Sequence, residues 1–114
     1  MKEYMMIFRM DKSNVKEQSP KEMQESISHW QNWIGGIAAQ EKFISTNQLG
    51  FEAKVLNSDS SITDGPFAEI KEIVGGYIIV KANSLDEAVE MANGCPILFI
   101  GGTVEVRDVM QLNA

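Results

Sequence analysis

The chain has 114 residues, of which 44% are hydrophobic, and it carries a formal net charge of −6. That length suits one domain and is too short for two, so we expect a single domain over residues 1–114 with a real core. The negative charge disfavours nucleic acid as a partner, because such affinity comes largely from Lys and Arg side chains that displace counterions.

Cysteine usage and hydropathy predict a compartment. The single cysteine, Cys95, cannot form an internal disulfide, which favours a reducing environment. No stretch approaches the ~20 apolar residues that a bilayer span needs, and the apolar run near the amino terminus is broken by charge at both ends. We therefore predict a cytoplasmic protein with no membrane partner.

The first predicted elements are a strand and a helix. Residues 3–10 are nearly continuously apolar, which is typical of a strand covered on both faces. Ser19 can cap a helix that begins at Pro20. One face of that helix carries apolar residues at steps of four and three: Met23, Ile27, Trp30, Ile34 and Ile37. Gly35 and Gly36 cost ~1 kcal/mol each against alanine, which indicates close packing against a sheet or partner or else an early helix end.

The middle of the chain reads as a hairpin followed by a strand. Residues 49–56 form the second predicted strand, and residues 57–60 have strong turn chemistry. A short return strand is expected at 61–63. The strongest strand signal covers 73–81, where β-branched and aromatic residues are concentrated.

The last predicted elements are a helix and a strand. Ser84 can cap the helix, and Asn93 with Gly94 can end it. Residues 103–109 form the final strand, with Val104 and Val106 on one side. The order strand, helix, hairpin, strand, helix, strand predicts an α+β, ferredoxin-like split βαβ fold with an extra hairpin. Its antiparallel sheet would carry two helices on one face.

A ten-residue motif gives the strongest resemblance. Residues 63–72 read TDGPFAEIKE, which resembles the TDGPFAETKE motif of the YCII-related, or DGPF, family, with Ile70 where Thr is usual. The resemblance extends over nearly the whole chain, through Gly75-Gly76-Tyr77, the helix that contains residues 85–88, Cys95-Pro96 and residues 102–107.

The resemblance implies a ferredoxin-like homodimer whose two sheets meet face to face as a dimeric α/β barrel. A sheet with helices on one face also needs its other face buried on physical grounds. The DGPF members have no agreed activity. Better-known YCII proteins are suspected enzymes with a His–Asp pair; His29 lies where that histidine is expected, but no aspartate follows it.

Asp64 is the leading catalytic candidate. Gly65 and Pro66 fix a rigid turn after it, and a carboxylate beside Phe67 can be partly desolvated, which would raise its pKa towards a useful general-base value. The alternative is that Asp64 accepts hydrogen bonds from the backbone of its own turn.

Other candidate site residues surround this turn. Glu69 and Lys71 would form the rim of a pocket for a small molecule, or else an exposed strand edge or intersubunit ion pairs. His29 and Trp33 lie one helical turn apart and could line the same pocket; the alternative for His29 is a surface or interface position. Tyr77 would orient the ligand.

The sequence predicts neither a metal nor a cofactor. His29 is the single histidine, and no Cys/His cluster, HExxH spacing or phosphate-binding glycine loop occurs. Haem ligation by His29 would rest only on analogy with haem-binding proteins that share the dimeric α/β barrel architecture. We favour a homodimer that binds a small metabolite near the DGPF turn without turnover. The alternative is a small-molecule enzyme in which Asp64 is the general acid or base and His29 assists.

Overall fold

The computed structural model describes residues 1–11, 18–64 and 72–112, with Asp64 described in its backbone alone. The strands among these residues are β1 (Lys2–Asp11), β2 (Phe43–Gln48), β3 (Lys54–Leu56), β4 (Ile62–Asp64), β5 (Glu72–Ala82) and β6 (Thr103–Asp108). The helices in the same described ranges are α1 (Pro20–Ala39), α2 (Leu85–Ala92) and a short 3₁₀ helix (Pro96–Ile100).

The main sheet is antiparallel and has the strand order β2-β5-β1-β6. Strands β1 and β5 form its centre, and β2 and β6 form its edges. Strands β3 and β4 pair with each other as a separate hairpin. This topology confirms the predicted α+β, ferredoxin-like fold with an extra hairpin.

Both predicted helix starts are confirmed in their hydrogen bonds. The Ser19 hydroxyl accepts a hydrogen bond from the Glu22 amide at 3.2 Å, and the Ser84 hydroxyl accepts one from the Glu87 amide at 3.1 Å. Each cap satisfies one of the amides that the first turn of a helix leaves without an intrahelical acceptor.

Both α-helices cover the same face of the sheet. Tyr4, Met6 and Phe8 alternate along β1, and all three are buried. They share one hydrophobic cluster with Ile37 of α1 and Ala88 of α2. Among the described residues, the opposite side of the sheet therefore has no helical layer. We call it the open face; its apolar side chains are Met5, Ile7, Val74, Tyr77 and Ile79.

Three aromatic rings join α1 to the sheet. Phe8 packs edge-to-face against Trp30 and Trp33, with ring centroids 5.1 and 5.9 Å away. The indole Nε1 of Trp33 donates a hydrogen bond to the Met91 carbonyl at 2.9 Å. This bond satisfies the polar atom of a half-buried ring and connects α1 to the last turn of α2.

The prediction of a strand over residues 49–56 is wrong in its bounds. Only Lys54–Leu56 of that range forms a strand, β3, and residues 49–53 lie outside any strand. The edge strand of the main sheet is β2 (Phe43–Gln48), which the sequence did not predict. Its polar half, Asn47 and Gln48, is exposed because β2 pairs only with β5 among the described residues. A strand at a sheet edge needs no continuous apolar pattern, so its sequence signal is weak.

The interpretation of Gly35 and Gly36 as a close approach to the sheet is also wrong. Helix α1 continues past both residues to Ala39, so they do not end it. A Cβ built at either position would meet no heavy atom of the described residues within 4 Å. Their helix face is open within the described part of the chain.

Gly102 is required by a close approach of three chain segments. An added Cβ would lie 2.6 Å from Ile97 Cγ1, 2.7 Å from the Arg9 carbonyl oxygen and 2.9 Å from the Ile97 carbonyl oxygen. Two of those atoms belong to the backbone and cannot move aside cheaply. We expect Gly102→Ala to lower the free energy of unfolding by about 1–3 kcal/mol, measured by chemical denaturation.

Gly35→Ala is the matched control for that substitution. It adds the same methyl group in open space within a helix, so we expect it to raise the free energy of unfolding by about 1 kcal/mol. Equal effects at the two positions would contradict the close approach at Gly102.

Candidate functional site

The DGPF segment, residues 64–67, lies in the chain between strands β4 and β5. Asp64 is the last residue of β4, where its backbone pairs with Lys54. Strand β5 begins at Glu72, opposite Asp11 at the end of β1. The candidate site residues Phe67, Glu69 and Lys71 lie outside the described residues, as does the Asp64 side chain, so their roles stay predictions.

Tyr77 lies on the open face of the central strand β5. Its hydroxyl accepts a hydrogen bond from Asn47 Nδ2 at 2.9 Å. A phenol that accepts one hydrogen bond still has its own hydrogen to donate. Val74 and Tyr77 are the first apolar open-face side chains of β5 after the DGPF segment, so the Tyr77 hydroxyl is a donor available on that side of the sheet.

Asn47 is a site candidate that sequence reasoning missed. It belongs to β2, whose pairing with β5 places Asn47 opposite Tyr77. The register shifts between Phe43 and Ser45, so residue spacing alone does not reveal which β2 side chain meets the tyrosine. The only sequence feature that could have indicated Asn47 is the polar run after Thr46. That run is typical of a loop unless β2 is recognised as a strand.

His29 and Trp33 have different environments although they lie one turn apart on α1. The His29 side chain is exposed, whereas Trp33 is half-buried against Phe8 with its indole nitrogen bonded to Met91. Trp33 thus contributes to the core, and its single donor is already used. A shared ligand pocket of these two residues stays a prediction.

Charged residues occupy the β6 side of the open face. Arg9 Nε lies 3.4 Å from Glu105 Oε1, and Arg107 Nη1 lies 3.8 Å from Glu105 Oε2. Glu105 lies opposite Ile7 and Arg107 opposite Met5, which places the charges beside the apolar centre of that face. Val104 and Val106, which were predicted to share one side of β6, pack against the core on the other face of the sheet.

Cys95 has the properties of a core residue. Its side chain is fully buried, and burial raises the pKa of its thiol to about 11. A thiol with that pKa is almost entirely protonated at neutral pH, whereas nucleophilic attack requires the thiolate. Cys95 therefore serves as a small apolar residue of the core.

Neither a metal-binding cluster nor a membrane span is found in the described ranges. No three His, Cys, Asp or Glu side chains within residues 1–11, 18–64 and 72–112 are grouped so that they could hold a metal ion. In those same ranges, no helix combines the length and hydropathy that crossing a bilayer requires.

Comparison with known proteins determines the family. The model of the YCII-related domain matches residues 4–113, which is essentially the whole chain. The chain belongs to the YCII-related family. An uncharacterised protein of Rhizobium meliloti (strain 1021) is 33% identical over 66 residues, covering 48% of this chain and 53% of that protein. The chain thus spans about half the length of this curated relative.

One ion pair joins the edge of the sheet to α2. Lys42 Nζ lies 2.8 Å from Glu87 Oε1, and Asn83 Nδ2 donates to Glu87 Oε2 at 3.2 Å. The hydrogen bond from Lys42 is the main cause that lowers the pKa of the Glu87 carboxyl below its ordinary 4.5. The bond positions the first turn of α2 over the start of β2.

The lowered pKa of Glu87 makes this contribution to stability dependent on pH. The contribution is present above pH ~4.5 and is lost as pH falls through the lower folded-state pKa, because the carboxyl then binds a proton. We expect Glu87→Gln to lower the melting temperature at pH 7, and the difference from wild type to shrink in acid. Thermal melts from pH 7 to pH 3 measure it.

Glu90→Gln is the control on the same helix, since Glu90 forms no ion pair with a described residue. It should change the melting temperature little at any pH. A difference between wild type and Glu87→Gln that stays constant down to pH 3 would contradict the assigned role of Lys42.

Proposed function

We propose that the chain acts as a cytoplasmic homodimer that buries its open face against a second copy and binds a small metabolite near the DGPF turn. The observation that supports the dimer is that the open face is apolar at its centre and has no described helix packed on it. Met5, Ile7 and Ile79 are neighbours at the centre of the four-stranded sheet, and both described α-helices pack on the other side. Contiguous apolar surface of this kind is usually an interaction site.

A second copy of the same chain fits the charge pattern of this face. Its centre is apolar, while Glu105 lies between Arg9 and Arg107 at one side. In a twofold dimer, the same patch meets itself, and a border with both signs of charge can pair with its symmetry copy. Exposed pairs of this kind contribute only ~0–1 kcal/mol each, so the apolar centre provides most of the association energy.

The ligand proposal is supported by a donor on β5, the strand that follows the DGPF segment. The Tyr77 hydroxyl is held by Asn47 and retains a hydrogen for a ligand acceptor. Asp64, the last residue of β4, begins the predicted DGPF turn and would supply the opposing acceptor. Binding without turnover is the simpler assignment, because His29 is exposed on α1 and no catalytic partner for it is described.

Ile79→Glu tests the dimer. Ile79 lies on the open face opposite Met5, and a buried carboxylate in the interface would be strongly unfavourable. We expect wild type to have twice the 12.7 kDa mass of one chain in light scattering at micromolar concentration, and Ile79→Glu to have the mass of one chain. Circular dichroism verifies that the variant is folded.

Val89→Glu is the matched control, because Val89 is an exposed apolar residue of α2, in the helical layer. It should stay dimeric. A wild-type protein of single-chain mass at these concentrations would contradict the proposed dimer.

Asp64→Asn tests the ligand site in a thermal-shift screen against a panel of metabolites. A ligand present at ~100 times its dissociation constant adds ~2.7 kcal/mol to the free energy of unfolding. We expect at least one metabolite to stabilise wild type and to lose that effect in Asp64→Asn and in Tyr77→Phe.

Asp59→Asn removes a carboxylate from the turn of the same hairpin and should keep the shift, since asparagine can also accept the bond from the Ser61 amide. Absence of any stabilising metabolite would argue against the site. Turnover of a bound metabolite by wild type but not by Asp64→Asn would favour the enzyme alternative.

A further inference from the structure

A cleft opens at the other end of β1 from the DGPF segment. It has a volume of about 440 Å³ and is lined by Lys2, Tyr4, Leu85, Val106, Arg107 and Asp108. Lys2 and Tyr4 share a face of β1, and Asp108 pairs opposite Tyr4 in β6. Leu85 is the first residue of α2, so the cleft lies between that helix and one edge of the sheet.

Tyr4 gives this cleft a polar group without a partner. The residue is only 4% exposed, and its hydroxyl has no hydrogen-bond partner among the described residues. Buried tyrosine hydroxyls usually have one. No fully buried side-chain oxygen or nitrogen of the described residues is unsatisfied, so this hydroxyl must reach solvent, and the cleft is where Tyr4 meets it.

The lining of the cleft carries two cations, Lys2 and Arg107, and one anion, Asp108. Arg107 lies 3.8 Å from Glu105 on the open face, so the pair on the helical side of the sheet is Lys2 and Asp108. Lys2 Nζ lies 3.8 Å from Asp108 Oδ2, and both side chains are more than half exposed. That separation exceeds the 2.7–3.2 Å of a good hydrogen bond, so both groups retain capacity for another partner. Leu85 and Val106 supply apolar surface beside them.

We propose that this cleft binds a small zwitterion with an apolar tail, of the class of free apolar α-amino acids. The ligand carboxylate accepts from the Lys2 ammonium and the Tyr4 hydroxyl, and the ligand ammonium donates to the Asp108 carboxylate. The apolar side chain packs on Leu85 and Val106. A ligand with one charge would pair with only one member of the Lys2–Asp108 pair and would place a like charge beside the other member.

Leucine and two analogues test this assignment. L-leucine carries both charges, 4-methylpentanoate lacks the ammonium, and isoamylamine lacks the carboxylate. Titration of the ¹⁵N-labelled protein should shift the backbone amides of Leu85 and Val106, and leucine should bind more tightly than either analogue. Failure of leucine to shift these amides at millimolar concentration would overturn the proposal, as would equal affinity for all three compounds.

Three variants assign the contacts individually. Tyr4→Phe removes only an unpartnered hydroxyl, so it should keep the melting temperature while weakening leucine binding about tenfold, the usual scale for a hydrogen bond to a charged group. Asp108→Asn should abolish the preference for leucine over 4-methylpentanoate. Lys2→Gln should reduce the preference over isoamylamine, while the Tyr4 hydroxyl still donates to the carboxylate.

Lys21→Gln is the charge control, because Lys21 is an exposed lysine in the first turn of α1 and does not line the cleft. Lys21→Gln should bind leucine as wild type does. Asp64→Asn should also do so, because Asp64 belongs to the proposed DGPF site and not to the cleft. Leucine binding that survives Tyr4→Phe, Lys2→Gln and Asp108→Asn unchanged would show that the shifts arise elsewhere and would overturn the assignment.

Discussion

The antiparallel pairing of β1 with β5 is the constraint on which the rest of the structure depends. Ten residues of β1 pair with β5, and six of them also pair with β6 on the other side. Since both strands are central, their alternation divides every side chain between two environments. Tyr4, Met6 and Phe8 enter the cluster beneath the helices, while Met5 and Ile7 face the side without them.

One irregularity in that pairing determines what lies beside Tyr77. The register between β1 and β5 shifts between Phe8 and Arg9, and Gly76 lies opposite Phe8 at this point. A Cβ at Gly76 would come within 2.7 Å of the Asn47 carbonyl oxygen, so glycine permits β2 to approach closely. That approach brings the Asn47 amide to the Tyr77 hydroxyl. The glycine thus has a structural role that the candidate site depends on.

Features that depend on residues close together in the chain could be predicted from the sequence, and features that depend on distant residues could not. The caps at Ser19 and Ser84 were predictable because each hydroxyl binds an amide three residues further along the chain. Strand β2 was not predictable, because its partners in β5 are about thirty residues away along the chain and its exposed half is polar. Tyr77 could be placed on a strand from its neighbours, but its contact with Asn47 depends on a register that no local pattern contains.

The two proposed ligand sites are independent because β1 separates them. The cleft lies at Lys2 and Tyr4, whereas the DGPF segment leads into β5 opposite Asp11. A strand rises ~3.4 Å per residue, so Tyr4 and Ile7, the partner of Tyr77, are ~10 Å apart along β1, and the side chains of Tyr4 and Tyr77 lie on opposite faces of the sheet. Substitutions more than ~10 Å apart without shared partners usually have additive effects. Lys2, Tyr4, Val106 and Asp108 of the cleft lie on the side of the sheet that carries the helices, so a second copy on the open face would not cover them, although it would lie beside Arg107.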